Sequence, residues 1–180
     1  MFAQALTEIV RRLDEAKSRH LVDQYALIGG FAVSAWSIPR ATHDIDFVLA
    51  LGSVEATSLA AHLHAEFYPG ASDDPLRGVF RMSVTVDDFS VPVQLVLLPP
   101  AWHPVVFAQV ESLPVFGCTV RVVSWQALIL LKLYAGGPQD LLDAQHILAV
   151  RQPTPAERRA LAVQAEAVGL STAWHALITG

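Results

Sequence analysis

Apolar positions along the chain follow two spacings, and the change from one to the other predicts where helices and strands lie. From Phe2 to Leu13 they recur every three or four residues, as on one face of an amphipathic helix. From Phe80 to Val86 they alternate with polar residues, which is the period of a half-buried strand. Across the chain these patterns predict strands at 25–28, 44–50, 80–86, 91–98 and 113–123, and helices at 2–19, 31–36, 53–67, 124–135, 138–150, 154–167 and 170–178.

The order of the predicted elements indicates the fold class. Strands with interleaved helices come first, and only helices follow. We therefore expect an α/β (α+β) protein in which residues 1–123 form a mixed sheet flanked by helices, and residues 124–180 form a C-terminal helical subdomain that closes over the site. A loop rich in glycine, aspartate and proline is predicted at 69–78.

Composition excludes several classes of protein. The chain is 53% hydrophobic and 16% charged, which favours a globular domain over disorder. Its apolar runs are shorter than the roughly 18 residues that span a bilayer, and the N-terminus lacks the apolar centre of a signal peptide, so we expect a cytoplasmic protein without a membrane partner. The single cysteine, Cys118, excludes an internal disulfide, and the net charge of −5 argues against long nucleic acid as a partner.

The segment from 26 to 50 contains the residues with candidate chemistry. Asp44 and Asp46 are two apart on a predicted strand, so their carboxylates project from one face with Cα atoms about 7 Å apart. Such close like charges repel unless a cation or hydrogen-bond donors lie between them, and Mg²⁺ binds both carboxylate and triphosphate oxygens. Gly29 and Gly30 precede a predicted helix, whose N-terminal backbone N–H groups suit a phosphate. Each feature alone is more often structural, but together they predict a site for a metal-bound nucleoside triphosphate.

Two segments of the sequence resemble a known family. The paired glycines 29–30, a gap of 13 residues and DID at 44–46 resemble the signature of the nucleotidyltransferase superfamily, which has the DNA-polymerase-β-like fold. The fuller pattern, GGFA at 29–32 with RATHDID at 40–46, is similar to a small bacterial branch that includes aminoglycoside nucleotidyltransferases and abortive-infection nucleotidyltransferase toxins. ALILLKLYAGGPQDLLD at 127–143 resembles the Lys-x-x-Ala-Gly…Asp-x-x-Asp helix pair of that branch.

The resemblance implies a role for each matching residue. Gly29 and Gly30 would contact the triphosphate, and Asp44 and Asp46 would bind Mg²⁺ and act in catalysis. Lys132 would reach the phosphates from the helical subdomain.

Two basic residues also have structural explanations. Lys132 lies on an otherwise apolar helix, so its charge needs a partner, and Asp140 or Asp143 could supply one in a structural ion pair. That pairing is compatible with phosphate binding. Arg40 could stabilise charge on the phosphates or simply pair with Asp44.

The sequence departs from the family pattern at one position. The family places a third carboxylate on a later strand, where it completes the metal site and can accept the proton of the attacking hydroxyl; the matching strand here, 91–98, has Gln94 instead. Glutamine can ligate weakly through its carbonyl but is not a base near neutral pH. Asp87 and Asp88 are the nearest acids, and we expect them to lie in a hairpin turn without a substitute role.

The leading functional prediction is an NTP- and Mg²⁺-dependent nucleotidyltransferase that moves a nucleoside monophosphate to a hydroxyl of a small-molecule or protein acceptor. Gln94 favours an alternative, a catalytically weakened nucleotide-binding module that acts through a protein partner, for example in a toxin–antitoxin pair. A structural protein that keeps only the fold is the third possibility.

Overall fold

The structure, a computed structural model, describes residues 1–71, 74 and 76–179. Its strands are β1 (Val22–Ile28), β2 (Ile45–Leu51), β3 (Glu66–Pro69), β4 (Gly78–Val86), β5 (Phe89–Leu97), β6 (Val110–Val115) and β7 (Cys118–Val123). Its helices are α1 (Phe2–Ser18), α2 (Gly29–Trp36), α3 (Ala56–Leu63), α4 (His103–Val106), α5 (Trp125–Ala135), α6 (Pro138–Arg151), α7 (Pro155–Ala167) and α8 (Ser171–Thr179), with a 3₁₀ turn at Pro100–Trp102.

The strands of the described chain form one mixed sheet in the order β3-β4-β5-β2-β1-β7-β6. β2 is parallel to β5 and β1 is parallel to β7, whereas the other neighbours are antiparallel. The β4–β5 hairpin therefore lies beside β2, and its second strand runs in the same direction as the strand that begins after Asp44.

One face of the sheet packs against α1. The apolar stripe of α1, which includes Leu6, Ile9 and Leu13, is fully buried. On the same face, the hydroxyl of Tyr25 on β1 donates a hydrogen bond of 2.5 Å to Asp14 of α1. Buried side chains from neighbouring strands complete this layer: Leu27, Phe47, Phe80, Leu95 and Val122.

The opposite face is covered only in part. α5 places Leu128, Leu131 and Lys132 beside Ile28 and Asp46, so it lies over the last residue of β1 and the start of β2, in the middle of the sheet. The part of this face formed by β4 and β5, which we call the open face, consists of half-buried or exposed side chains: Val79, Arg81, Ser83, Thr85, Pro92, Gln94 and Val96. The edge of the covered part, where β2 meets β5, is therefore accessible from one side.

Several predicted boundaries were wrong. Phe67 was placed on the apolar face of a helix, but α3 ends at Leu63, because His64 adopts a left-handed conformation, and Phe67 belongs to β3. The segment 113–123, predicted as one strand interrupted by Gly117, is a hairpin of two strands, β6 and β7, that turns at Phe116 and Gly117, both with positive φ. The pattern also missed β3 and α4, which are only four residues long each.

The fold class is confirmed: a mixed sheet is flanked by helices, and helices alone follow β7. The division at residue 123 into a core and a helical subdomain stays a prediction. The predicted loop 69–78 includes residues 72, 73 and 75, which lie outside the described residues, as does residue 180. Within the described ranges, no helix has the length and apolar character needed to cross a bilayer.

Candidate functional site

The two aspartates lie where β2 begins. Asp46 is the second residue of β2. The sequence predicted that Asp44 begins this strand, but Asp44 immediately precedes it. The hydroxyl of Thr42 donates a hydrogen bond of 2.9 Å to Oδ1 of Asp44, which orients that carboxylate. Both side chains are half-buried, so they remain open to a ligand.

The paired glycines pack directly against these residues. Gly29 has a φ of +66°, and a Cβ at this position would collide with the carboxylate of Asp46. A Cβ on Gly30 would lie 2.7 Å from Cβ of Thr42. Only glycine combines this backbone conformation with such close approach, which explains why the turn is glycine-rich.

The same turn begins α2, whose N-terminal N–H groups have no side-chain cap. Ile28 is the N-cap residue and makes no side-chain hydrogen bond to the helix. Uncapped N–H groups and the positive end of the helix dipole form a favourable environment for an anion. The helix start and the Asp46 carboxylate line one cavity of about 180 Å³ together with Lys132 and Asp140.

Asp46 is the most strongly perturbed carboxylate of this cluster. Burial, followed by the negative charge of Asp44, raises the pKa of Asp46 from 3.8 to about 6, while the charges of Lys132 and Arg40 oppose the rise. The two aspartates therefore repel each other, and neighbouring cations only partly compensate that repulsion.

Lys132 and Arg40 share a buried acidic partner. Nζ of Lys132 lies 2.7 Å from Oδ1 of Asp140 and 2.9 Å from Oδ2 of Asp143. Nε of Arg40 lies 3.0 Å from Oδ1 of Asp143, and a second guanidinium nitrogen lies 3.1 Å from Oδ2. Asp143 is fully buried, and Gln139 adds a hydrogen bond of 2.9 Å to it. This network joins the loop before β2 to helices α5 and α6.

These contacts decide between the structural alternatives drawn from the sequence. The ion pair of Lys132 is present with both Asp140 and Asp143, and Lys132 also faces the cavity beside Asp46. The expectation that Arg40 could pair with Asp44 was wrong, because its guanidinium binds Asp143. The side chain of Asp143 is completely buried, and a charged group removed from water needs an oppositely charged partner. Two nitrogens of the Arg40 guanidinium supply such a partner.

Gln94 is the residue of β5 directly opposite Asp46 in the parallel pair. It is half-buried on the open face, not in the core, and its side chain makes no hydrogen bond to another described residue. Asp87 and Asp88 occupy the exposed turn between β4 and β5, roughly 20 Å along the strand from Gln94 at about 3.3 Å per residue.

The donor set fits a hard divalent cation. Asp44 and Asp46 supply carboxylate oxygens, and a bound cation would remove the repulsion that Lys132 and Arg40 compensate only in part. The described residues contain no cluster of three or more histidine, cysteine, aspartate or glutamate side chains that could hold a metal. Mg²⁺ suits such a site, because it commonly binds through one or two carboxylates and substrate phosphates.

Comparison with known proteins identifies the fold. Neither a protein-family model nor a curated protein matches the chain. A solved structure, that of an antigenic nucleotidyltransferase-like protein from Paracoccidioides brasiliensis, superimposes with a TM-score of 0.51 at 17% sequence identity, covering 96% of this chain and 93% of that one. The chain has the nucleotidyltransferase fold. The structure of ANT(2″)-Ia in complex with adenylyl-2″-tobramycin aligns with a TM-score of 0.47 at 16% identity, covering 94% of this chain and 96% of that one.

Within this nucleotidyltransferase fold, sequence reasoning missed two residues around the site. Thr42, which orients Asp44, was noted only as part of a pattern. Arg81 was noted only as one of the polar residues that alternate with apolar ones between Phe80 and Val86, and its position opposite Gln94 depends on the register of the β4–β5 hairpin. The predicted turn between the two strands could have revealed that register, because a symmetric hairpin pairs residues equidistant from its turn.

The raised pKa of Asp46 predicts that the stability of the protein depends on pH. The folded-state pKa of Asp46 is about 6, above its ordinary 3.8, so folding favours the protonated form. Without metal, ionisation of Asp46 should lower the free energy of unfolding by up to about 3 kcal/mol. The full effect should be present above pH about 6, and it should disappear as the pH falls to about 4. Relative to wild type, Asp46→Asn should therefore be more stable at pH 7, and the difference should vanish near pH 4.

Urea unfolding of both proteins in EDTA between pH 4 and pH 8 measures this difference. A stability gap that stays constant across the range would show that Asp46 does not titrate as described.

Proposed function

We propose that this chain is a nucleotidyltransferase that uses a Mg²⁺-bound nucleoside triphosphate to transfer a nucleoside monophosphate to a hydroxyl group, releasing pyrophosphate. The observation that supports it is the packing of the Gly29-Gly30 helix start against Asp46, with Lys132 in the same cavity, on a nucleotidyltransferase fold. We place the reaction in the cytoplasm, where nucleoside triphosphates and Mg²⁺ are available.

Each residue of the site has a role in this proposal. The N–H groups at the start of α2, from Gly29 and Gly30, bind triphosphate oxygens, and Lys132 adds a positive charge from α5. Asp44 and Asp46 hold Mg²⁺, which when bound neutralises phosphate charge. Arg40 contributes positive potential through its long-range effect on Asp46, although its guanidinium is engaged by Asp143.

The transfer step forms one bond and breaks another. The acceptor oxygen bonds to the α-phosphorus, the bond from that phosphorus to the bridging oxygen of pyrophosphate breaks, and the hydroxyl proton must leave. In this proposal Gln94, which lies opposite Asp46, stands where a base would accept that proton, and its amide cannot do so near neutral pH. The proton therefore passes to solvent through the open face, and we expect slow turnover.

Gln94 also favours a second candidate function. In that proposal the chain binds Mg²⁺–NTP without efficient transfer and acts through a protein partner, as in a toxin–antitoxin pair. The two candidates share the nucleotide site and differ only in turnover, so pyrophosphate release and mass analysis of products separate them. Binding with release of pyrophosphate supports the enzyme, and binding without it supports the module.

Mg²⁺–ATP should raise the melting temperature of the protein, because a ligand that binds only the folded state stabilises it by mass action. At about 100 times Kd the gain is about 2.7 kcal/mol, or roughly 5–10 °C for a domain of this size. Replacing Asp44 and Asp46 together with asparagine should abolish the rise without lowering the melting temperature of the apo protein.

The matched control is Asp87→Asn with Asp88→Asn, which removes the same two charges from the exposed β4–β5 turn. This control should respond to Mg²⁺–ATP as the wild type does. A full response in the Asp44/Asp46 variant, or none in the wild type, would sink the proposed site.

A further inference from the structure

We propose that Arg81 belongs to the acceptor subsite and that the acceptor is a small hydroxyl compound carrying an oxyanion, a carboxylate or a phosphate, which its guanidinium binds. This inference rests on the proposed function, and it adds the chemical class of the acceptor and the residue that selects it.

The position of Arg81 follows from strand register. Asp46 lies opposite Gln94 in the β2–β5 pair, and Gln94 lies opposite Arg81 in the β4–β5 pair. Directly opposite residues project from the same face of a sheet, and adjacent strands are about 4.8 Å apart. The Cα atoms of Arg81 and Asp46 are therefore about 10 Å apart, with Gln94 on the strand between them.

The space in front of this row suits a small molecule. A cavity of about 520 Å³ is lined by His64, Glu66, Arg81, Ser83, Pro92 and Gln94. That volume is within the usual range for small-molecule sites, about 300–1,000 Å³. A compound placed there can present a hydroxyl near Gln94, the residue opposite Asp46 on the neighbouring strand, while its other end reaches Arg81.

The guanidinium of Arg81 is available to bind an anion. Among the described residues, it forms no ion pair with a carboxylate within 4.0 Å. Its cross-strand neighbour Glu66 instead accepts a hydrogen bond from the hydroxyl of Tyr68, and the guanidinium lies over the Tyr68 ring, 5.0 Å from its centre. A cation over an aromatic ring is attracted by the face of the ring, and this contact uses none of the hydrogen-bond donors of the guanidinium.

Electrostatics explains why the proposed site needs this residue. An acceptor that carries an anion is repelled by the triphosphate, by Asp44 and Asp46, and by Glu66, which lines the same cavity. Arginine stays charged at every physiological pH and binds carboxylates and phosphates with two parallel hydrogen bonds, so Arg81 offsets that repulsion at the far end of the acceptor. A neutral polyol gains nothing from it, and a polycation is repelled by it.

The test uses three probes that share a hydroxyl framework and differ in charge: glycerol, glycerate and glycerol 3-phosphate. The Nε–Hε signal of Arg81 is followed by NMR during titration of the wild-type protein, first alone and then saturated with Mg²⁺ and α,β-methylene-ATP, which prevents transfer. We expect saturable shifts with the two anions and none with glycerol, in both conditions. The affinities of the two anions show whether the subsite prefers a carboxylate or a phosphate.

Variants locate the interaction. Arg81→Met lacks the Nε–Hε signal, so its anion binding is followed, like that of the wild type, through the backbone N–H signals of Ser83 and Gln94, which line the cavity. Binding of the anions should weaken by about tenfold or more, the scale of a charge-assisted hydrogen-bond pair, while the melting-temperature response to Mg²⁺–ATP stays as in the wild type. The matched control is Arg121→Met, which removes another arginine of the sheet that lies over a tyrosine ring, 5.9 Å from the centre of Tyr25. This control should bind the anions normally.

Three results would overturn the inference: no saturable shift at Arg81, equal loss of binding in the Arg121 control, or displacement of the anions by the ATP analogue, which would assign Arg81 to the triphosphate. Failure of the proposed function gives a different result. A wild-type protein that ignores Mg²⁺–ATP loses the nucleotide assignment even if anions still shift the Arg81 signal, and Arg81 is then an anion site without an acceptor role.

Discussion

Asp143→Asn should lower the free energy of unfolding by about 3 kcal/mol, the low end of the range for removing one partner of a buried ion pair. The substitution keeps the shape of the side chain and removes its charge. Asp143 is fully buried and faces the charged groups of both Lys132 and Arg40. Losing it leaves two cations whose desolvation is no longer compensated.

The low end of the range applies because each cation keeps another group, or water, that compensates part of its charge. Lys132 keeps its pair with Asp140 at 2.7 Å, and the side chain of Arg40 is 28% exposed, so water can solvate part of its guanidinium. Asp140→Asn is the matched control: its carboxylate is 27% exposed and, among the described residues, pairs with Lys132 alone, so its loss should cost about 1 kcal/mol or less.

Urea unfolding of the two variants at pH 7 measures both costs. Equal losses would show that Asp143 is no more important than a partly exposed pair, and that the network does not hold the loop before β2 against α5 and α6. A loss of Mg²⁺–ATP binding in Asp143→Asn without a loss of stability would instead indicate that Arg40 and Lys132 serve mainly the nucleotide.

The contrast between these two pairs shows which parts of the site a sequence can predict. Lys132 and its partners Asp140 and Asp143 lie within one helical hairpin, so helix periodicity and the Gly-Gly-Pro break were sufficient to pair them. The contact between Arg40 and Asp143 joins residues 103 positions apart. Local pattern contains no information about such a contact, so the sequence offered only the phosphates or the nearest acid, Asp44, as partners for Arg40.

The same distinction applies to the sheet. The β4–β5 hairpin was predictable from alternation and a short turn, whereas its insertion beside β2 depends on pairing between distant segments. Short elements were lost for another reason. β3 has four residues, and its Phe67 continued the apolar spacing of α3 by coincidence, so periodicity extended the helix past the left-handed residue that ends it. The repulsion between Asp44 and Asp46 was predictable because the two residues are neighbours on one segment, whereas the close approach of Gly29 to Asp46 joins two elements and could not be read from local pattern.

Gln94→Asp should convert the two-carboxylate site into one of three carboxylates. Gln94 lies opposite Asp46 on the open face, where a carboxylate is half-exposed rather than buried in the core. We expect Mg²⁺ affinity to rise by about tenfold or more, equivalent to about 1.4 kcal/mol per tenfold, because the divalent cation gains an anionic ligand. The apo protein should become less stable, since a third negative charge adds to the repulsion between Asp44 and Asp46.

The same substitution tests the proposed chemistry. An aspartate at this position can accept the proton of the acceptor hydroxyl, which the glutamine amide cannot. Supplying a general base is worth about 10²–10⁴ in rate, so nucleotidyl transfer, followed by pyrophosphate release, should rise by up to that factor. A module that binds nucleotide and has lost its base should gain measurable turnover from this one change.

Gln94→Asn provides the control, because asparagine has the shape of aspartate without its charge. It should leave Mg²⁺ affinity and turnover near the wild-type values, which separates the effect of the carboxylate from that of shortening the side chain. If Gln94→Asp folds less stably while its Mg²⁺ affinity equals that of Gln94→Asn, the new carboxylate does not reach the cation. Gln94 would then be a polar residue of the open face that happens to lie opposite Asp46, and the slow step of the proposed transfer would have to be sought elsewhere in the site.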